Sequence, residues 1–173
     1  SKPFAVVLQH PVSNCVEKTE KHILETLCAV DQLNLPTVII KPNSDPGSQK
    51  IKDAIDNFQF SNENIKIFTN VEEHLFVNIM IAANVLIGNS SMGILESPML
   101  KLPVVNVGER QKDRLCAENV IFVPHVKSKI IETVKKCLYN QNFKEVLKNL
   151  NNPYGNGNTG GKAANILANI KID

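Results

Sequence analysis

Short apolar runs alternate with longer segments of helical spacing along most of this chain of 173 residues. The apolar runs are rich in β-branched residues and are bounded by Pro, Gly, Asn or Ser, which predicts short buried strands. Six strands are predicted, at 4–9, 37–40, 64–69, 84–88, 103–108 and 119–123. Helical spacing predicts helices over 16–34, 48–58, 71–83, 93–100, 127–138, 143–150 and 161–170. The segment 71–83 is apolar almost all round, so we expect its helix to be buried on most sides.

This alternation predicts one α/β domain, built on a doubly wound parallel sheet with helices on both faces, as in Rossmann-like folds. Continuous apolar strands are typical of a sheet that is covered on both faces. In such sheets ligands bind outside the carboxyl ends of the strands. We therefore expect a site built from four loops at that edge: 10–14, 41–47, 88–91 and 108–114.

Composition narrows the class of protein without naming a ligand. Hydrophobic residues make up 43% of the chain, enough for a packed core, and the formal net charge is only +2. Because the charges are interspersed, neither a nucleic-acid surface nor a polybasic membrane surface is predicted. The closest candidate for a membrane span, 75–87, is interrupted by Asn78 and Asn84 and falls short of the roughly 18 apolar residues that a span needs. With no signal-peptide pattern in the first residues, we expect a cytoplasmic protein.

Cysteine and histidine usage predicts no metal centre. Cys15, Cys28, Cys116 and Cys137 are widely spaced and form no CxxC pair. This pattern favours small reduced thiols in a reducing compartment, with disulfides or a zinc site as the alternatives. The four histidines show no ligand spacing with one another, so we expect no metal ion and no cofactor.

The sequence GNGNTG at 155–160 matches the dinucleotide-binding pattern G-x-G-x-x-G in letters only. That pattern binds a nucleotide when a strand leads in, a helix leads out and an acid follows about twenty residues later. Here NLNNPY precedes the glycines, so the leading strand is missing. We interpret the segment as a turn before the last helix.

A better candidate lies where the fourth strand ends, at Gly88. Asn89, Ser90 and Ser91 follow it and precede a helix. Small residues let the backbone approach a ligand, and free N–H groups at the positive end of a helix dipole attract phosphate. The alternative is an ordinary N-cap, because Asn and Ser are favoured capping residues. Glu96, one turn inside an otherwise apolar segment, could accept the two hydroxyls of a ribose or could lie on a solvated face.

Polar residues follow other strands at the same edge. His10 follows the first strand and could bind phosphate, transfer a proton or cap the loop. Asn43 follows the second strand, as a turn residue or as a contact for a ligand. Arg110 and Arg114 follow the fifth strand and could clamp a diphosphate.

Together these residues resemble the hydrolysing UDP-N-acetylglucosamine 2-epimerases. The similarity is carried by LQHPVSN (8–14), KPNSDPGS (41–48), IGNSSMGILES with LPVVNVGERQKDR (87–97 and 102–114), and YGNGN (154–158). Non-hydrolysing relatives have Ser-Gly-Gly followed by paired glutamates where this chain has NSSMGILE. The resemblance implies the second half of a two-domain glycosyltransferase B-type fold. Residues 1–173 would form the C-terminal UDP-binding domain, with the N-terminal catalytic domain absent.

The resemblance also implies a set of UDP-binding residues: His10, Asn43, Val71, Ser90, Ser91, Glu96 and Arg110. Within this set, His10 contacts the diphosphate and the reacting sugar and is the catalytic candidate, and Glu96 holds the ribose hydroxyls. The two serines bind phosphate, and Arg110 faces the diphosphate or the sugar. Asn43 and the backbone of Val71 lie near the uridine.

The implied reaction eliminates UDP from UDP-N-acetylglucosamine to give a 2-acetamidoglycal, then adds water to give N-acetylmannosamine. The family's base and acids come from the first domain, so we expect this chain alone to be inactive. The resemblance also implies that its full-length parent is a homo-oligomer. Two alternatives stay open: a UDP-sugar glycosyltransferase of the same architecture and a stand-alone nucleotide-binding module. The sugar is also open between N-acetylglucosamine and a diacetamido-trideoxy relative, since the absent domain reads most of it.

Overall fold

The computed structural model describes residues 2–12 and 15–170, and within them it forms one parallel sheet flanked by helices. Ser13 and Asn14, which belong to the first predicted site loop, lie outside the described residues. The strands are β1 (Ala5–Leu8), β2 (Thr37–Ile40), β3 (Ile65–Phe68), β4 (Val85–Gly88), β5 (Val104–Val107) and β6 (Val120–Val123). After a 3₁₀ turn at Val16–Lys18, the helices are α1 (Thr19–Leu33), α2 (Ser48–Asn57), α3 (Glu73–Ala82), α4 (Met92–Leu95), α5 (Lys127–Tyr139), α6 (Gln141–Lys148) and α7 (Thr159–Ala168).

The strand order is β3-β2-β1-β4-β5-β6, and every neighbouring pair is parallel. The chain therefore runs outward from β1 to β3, returns to the centre at β4 and runs outward the other way. This order confirms the predicted doubly wound sheet. It also places a topological switch point between β1 and β4, where ligands of such sheets bind.

Alternate residues of each central strand face two separate hydrophobic clusters. On β1, Ala5 and Val7 join the cluster formed with α1, α2, α5 and α6, while Val6 and Leu8 join the one formed with α3 and α4. Both sides of the strand are buried, which is why the strands read as continuous apolar runs rather than as an alternation. Each fully buried aliphatic side chain contributes about 1.5–3 kcal/mol, so the two clusters stabilise the sheet from both faces.

The structure corrects the expectation that the helix at 71–83 is buried on most sides. Helix α3 begins two residues later, and Met80 is its one buried side chain, whereas Leu75, Val77 and Ile81 are 48%, 45% and 62% exposed. Only one face of α3 packs on the sheet, so the apolar residues on its other face remain in contact with solvent. An apolar composition predicted the helix correctly but not how many of its faces are covered.

The helix predicted over 93–100 is also shorter than expected. Helix α4 ends at Leu95, and turns continue to Lys101, whose φ is +51°. Ser97 turns its hydroxyl back to the carbonyl of Gly93, and Pro98 follows without an N–H to donate. These two residues explain why the helix stops after a single turn.

The glycine-rich segment at 155–160 follows a loop after α6 rather than a strand, as the sequence analysis predicts. Gly155 and Gly157 have φ of +96° and +89°, and α7 begins two residues after Gly157. Its geometry is that of a turn before the last helix. No helix among the described residues has the length and apolar character that crossing a membrane requires.

Candidate functional site

The carboxyl ends of β1 and β4 lie side by side, because Leu8 pairs with Gly88 in the parallel ladder. Gly88 has φ of +138°, and a Cβ at this position would lie 2.1 Å from the carbonyl oxygen of Leu8. The two backbones therefore approach too closely for any side chain at residue 88. This contact brings the loops that follow the two strands together at the switch point.

Asn89 links the β1 and β4 loops through its buried carboxamide. Its Oδ1 accepts a hydrogen bond from the backbone N–H of His10 at 2.7 Å, and its Nδ2 donates to the His10 carbonyl at 3.0 Å. The backbone N–H of Asn89 also donates to the Leu8 carbonyl at 3.2 Å. Because Asn89 is only 1% exposed, these bonds are shielded from water and hold the two loops in a single arrangement.

The loop after β5 reaches the same residue. Arg110 donates from Nη1 to the Asn89 carbonyl at 3.1 Å, and Gln111 donates from Nε2 to the same oxygen at 2.9 Å. Arg110 also lies 3.9 Å from Asp45, measured from Nη2 to Oδ2. The guanidinium is thus held at the switch point by one backbone carbonyl and by a carboxylate of the β2 loop.

His10 lies half-buried beside this arginine. Burial lowers the pKa of its imidazole below the ordinary value of 6.5, and the positive charge of Arg110 lowers it further. The Asn43 side chain and the Asp45 carboxylate act in the opposite direction without reversing the shift. The neutral form of the imidazole therefore predominates at pH 7, and it can exchange a proton or a hydrogen bond with a ligand.

The serine loop differs from the predicted helix-terminus site. Ser90 is buried, and its Oγ accepts from the N–H of Met92 at 3.3 Å, while Ser91 occupies the N-cap position without a capping hydrogen bond from its side chain. The N–H groups of Gly93 and Ile94 donate to the carbonyls of the two serines. Since α4 is a single turn and its first N–H groups are already bonded, its dipole offers little to an anion. The serine hydroxyls remain as donors.

Glu96 occupies the C-cap position of α4, one turn beyond the serines, and is exposed. Its backbone N–H donates to the Met92 carbonyl, which fixes the backbone and leaves the carboxylate in solvent. This placement fits both interpretations of the sequence, a solvated acid and an acceptor for a diol.

Asn43 and Val71 lie in the loops after β2 and β3. The Oδ1 of Asn43 accepts from the N–H of Asp45 at 3.2 Å, so this residue forms an Asx turn and is exposed. Val71 lies before the start of α3, so its backbone is outside the helix. Its side chain packs on the second hydrophobic cluster. Arg114 is exposed, in the loop that also carries Arg110.

A stacked pair of histidines supports the β5 loop from the other side. His22 of α1 and His125 of the β6–α5 loop stack with ring centroids 3.7 Å apart and planes 2° from parallel. A Cβ on Gly108, where φ is +82°, would lie 2.2 Å from Nε2 of His125. The pair lines a cavity of about 790 Å³ together with Gly108 and Asp113. No pattern in the sequence indicates that these two histidines, 103 positions apart, would stack.

Sequence reasoning also missed Asn89 and Gln111 as the residues that join the loops. The composition around Asn89 indicated only small or capping residues, and Gln111 showed no periodicity that would set it apart. Both are 1% exposed, although Asn and Gln side chains are mostly found at the surface. Burial of these two amides is the property that reveals their part in the site.

A doubly wound sheet with a histidine, an arginine and two serines gathered at its switch point defines an α/β domain of the class that binds ligands at this edge. The profile of one family, UDP-N-acetylglucosamine 2-epimerase, matches residues 1–168. The chain therefore belongs to this family.

Two curated relatives are hydrolysing epimerases. The GDP/UDP-N,N'-diacetylbacillosamine 2-epimerase of Campylobacter jejuni is 35% identical over 122 residues, which are 69% of this chain and 32% of the relative. The UDP-N,N'-diacetylbacillosamine 2-epimerase of Legionella pneumophila is 28% identical over 171 residues, which are 99% of this chain and 44% of the relative. The chain thus spans less than half the length of these relatives.

The fold is similar to a solved structure, the UDP-GlcNAc 2-epimerase of Neisseria meningitidis bound to UDP-GlcNAc. The TM-score is 0.73 at 21% identity, over 98% of this chain and 45% of that one. At this identity the likeness concerns the fold alone. It confirms the predicted fold class, a Rossmann-like sheet similar to one half of a glycosyltransferase B-type fold.

Proposed function

We propose that this chain is the C-terminal UDP-binding domain of a hydrolysing UDP-N-acetylglucosamine 2-epimerase. The whole enzyme removes the proton on C2 of the sugar and breaks the bond between C1 and the diphosphate, which releases UDP and leaves a 2-acetamidoglycal. Water then adds across the double bond to give N-acetylmannosamine, a precursor for sialic acid biosynthesis. The relatives above support an epimerase of the hydrolysing branch.

The observation that carries the proposal is the meeting of His10 and Arg110 at the switch point, through Asn89. Breaking the bond at C1 leaves negative charge on the departing diphosphate. A guanidinium already fixed by the Asn89 carbonyl stabilises that charge without having to be ordered during the reaction. The hydroxyls of Ser90 and Ser91 add neutral donors beside it.

The rest of the nucleotide follows the edge of the sheet in this proposal. Glu96 accepts the two ribose hydroxyls with its exposed carboxylate, a suitable acceptor for a diol. Asn43 and the backbone of Val71 face the uracil from the β2 and β3 loops. His10, neutral at pH 7, contacts both the diphosphate and the reacting sugar.

The proposal includes a second domain as partner. The base that takes the C2 proton and the acids for hydration come from that domain, which also reads most of the sugar. The enzyme works in the cytoplasm in this proposal, and the free thiols Cys15, Cys28, Cys116 and Cys137 agree with a reducing compartment.

Calorimetric titration of the chain with UDP and with uridine tests the proposal. Arg110→Ala removes a charge-assisted contact to the diphosphate, so UDP is expected to bind about 10-fold to 100-fold more weakly. Uridine binding is expected to change less than about 2-fold, because uridine carries no phosphate for this contact.

Lys112→Ala is the matched control, since it removes a positive charge from an exposed position of the same loop. This variant is expected to bind UDP nearly as the parent does. If Arg110→Ala weakens both ligands equally, Arg110 acts on the fold and not on the diphosphate. If the parent chain binds no UDP, the proposed function is wrong.

A further inference from the structure

The Asn89 carboxamide holds His10 by its backbone on both sides of the residue. One hydrogen bond takes the His10 N–H and the other takes its carbonyl, at 2.7 and 3.0 Å. Two bonds of opposite polarity fix the direction of the His10 peptide groups as well as their position. A side chain with a single polar atom cannot replace both bonds.

The His10 imidazole depends on this backbone tether. Its Nδ1 is buried and has no hydrogen-bond partner among residues 2–12 and 15–170. The Asn43 side chain lies close enough to the ring to raise its pKa, but no partner among these residues holds Nδ1. The placement of the imidazole therefore depends on the backbone that carries it, and Asn89 restrains that backbone.

The main chain of Asn89 serves a second loop at the same time. Its carbonyl accepts the donors of Arg110 and Gln111, at 3.1 and 2.9 Å. If the carboxamide releases His10, residue 89 loses two of its restraints, and the carbonyl that holds Arg110 is free to shift. The imidazole and the guanidinium are therefore coupled through one residue.

We propose that Asn89 is a positioning residue of the UDP site, which sets the relative placement of the His10 imidazole and the Arg110 guanidinium. This inference rests on the proposed function for its ligand, because UDP is the molecule whose diphosphate both groups face. The proposed function does not include this point: the buried Asn89 carboxamide, which touches no ligand, determines how tightly the diphosphate binds.

The chain offers a matched control in Asn62. This asparagine is 5% exposed, and its carboxamide also makes one donor and one acceptor bond to the backbone, to the Leu35 carbonyl at 2.8 Å and from the Asn64 N–H at 3.0 Å. It lies before β3, at the opposite edge of the sheet. Asn62→Ala therefore removes an equivalent pair of hydrogen bonds, one donated and one accepted, at a position away from the site.

The test compares Asn89→Ala and Asn62→Ala in the 173-residue chain. Thermal melts are expected to show a loss of stability in both variants, because each leaves two backbone groups, at least partly buried, without these partners. Calorimetry is expected to show UDP binding about 10-fold weaker in Asn89→Ala, with uridine changed less than about 2-fold. Asn62→Ala is expected to bind both ligands as the parent does.

Titration of the His10 imidazole, followed by NMR, tests the same inference without a ligand. The His10→Gln variant assigns the His10 signal among the four histidines. The imidazole of the parent is expected to titrate below pH 6.5, since burial and Arg110 lower its pKa. In Asn89→Ala the loop moves away from Arg110, and the midpoint is expected to rise towards 6.5. In Asn62→Ala the midpoint is expected to match the parent.

The outcomes separate the inference from the proposed function. A parent that binds no UDP defeats the function, and the His10 midpoint still decides whether Asn89 positions the imidazole. An unchanged midpoint together with unchanged UDP affinity in Asn89→Ala overturns the inference. So does an equal loss of UDP affinity in Asn62→Ala.

If Asn89→Ala does not fold, Asn89→Ser takes its place, because a hydroxyl fills part of the space and makes at most part of the contacts. Its UDP affinity and His10 midpoint are expected to shift in the same directions. If neither variant folds while Asn62→Ala does, Asn89 is a structural residue and the inference is wrong.

Discussion

Glu96 is the residue whose proposed role depends most on a single contact. Its carboxylate is exposed in the free chain and would accept the two ribose hydroxyls of UDP. Glu96→Ala is expected to weaken UDP binding by about 1.5–3 kcal/mol, the usual scale for a hydrogen bond to a charged group. Calorimetry with UDP and 2′-deoxy-UDP measures this loss.

The deoxy ligand supplies the internal control for Glu96. The parent is expected to lose affinity when the 2′-hydroxyl is missing, whereas Glu96→Ala should discriminate little between the two ligands. Glu63→Ala, which removes an exposed carboxylate beside β3, is expected to behave as the parent. Equal affinity of the parent and Glu96→Ala for UDP would leave this acid as a solvated residue.

Gly88 tests the close approach of β1 and β4. Gly88→Ala would place a Cβ 2.1 Å from the Leu8 carbonyl oxygen, and backbone atoms cannot move aside cheaply. We expect a loss of about 3 kcal/mol or more in the free energy of unfolding, measured by urea denaturation.

Gly155→Ala is the matched control, because its φ is also positive, at +96°, but no atom lies within 4 Å of the added Cβ. It should cost only about 1 kcal/mol, the strain of a left-handed backbone. Similar losses in the two variants would mean that backbone strain, and not the contact with Leu8, requires glycine at position 88.

At the scale of elements, the His22–His125 stack connects α1 to the β6–α5 loop and lies against Gly108 at the end of β5. Burial lowers the pKa of His125 to about 4, with a contribution from His22, while Glu25 acts in the opposite direction. The unfolded chain binds a proton at this ring near pH 6.5, and the folded chain does so only near pH 4. Stability is therefore lost as the pH falls from about 6.5 to about 4.

We expect the His125 contribution to be about 2 kcal/mol after allowance for partial exposure of the ring. Urea denaturation at pH 7.5 and pH 4.5 measures it as the difference between the parent and His125→Gln, which cannot titrate. His74→Gln, at an exposed position of α3, should retain the loss seen in the parent. An identical pH dependence in all three chains would show that the stack does not destabilise the fold on protonation.

At the scale of the molecule, the proposed function makes the carboxyl edge of the sheet one wall of a cleft whose other wall is the second domain. Abstraction of the C2 proton needs a base within hydrogen-bond reach of the sugar and a site closed to water. We expect the chain of 173 residues to release no UDP from UDP-N-acetylglucosamine above background. A coupled assay for UDP and free N-acetylmannosamine measures this, with the diacetamido-trideoxy UDP-sugar as a second substrate. Turnover by this chain alone would show that it contains its own base.

In the full-length parent, His10→Ala is expected to lower turnover by roughly 10²–10⁴, the scale of a positioned proton-transfer group. His74→Ala is the matched control, since it removes an exposed imidazole of α3 rather than one beside Arg110. Full activity of the His10→Ala parent would reduce this histidine to a loop residue.

The sequence by itself determined the six strands and the parallel, doubly wound class of the sheet, and it indicated the edge at which we propose the site. Buried strands such as Val85–Gly88 are continuous apolar runs, because both faces of the sheet are covered and all of their side chains are buried. His10, Ser90 and Arg110 could be predicted to lie at one edge, because residues that follow parallel buried strands meet there. Local rules suffice for these features, since each depends on residues close in sequence.

Only the tertiary structure decided which groups touch. Asn89 meets His10 across 79 positions and Gln111 across 22, and no local pattern encodes a contact of that range. The sequence likewise did not predict that Ile81 is exposed, or that the first N–H groups of α4, expected to be free, are already hydrogen-bonded. The first depends on how many faces of a helix find a partner, and the second on hydrogen bonds made within a turn. Burial and pairing are properties of the assembled fold, so the positioning role of Asn89 became visible only there.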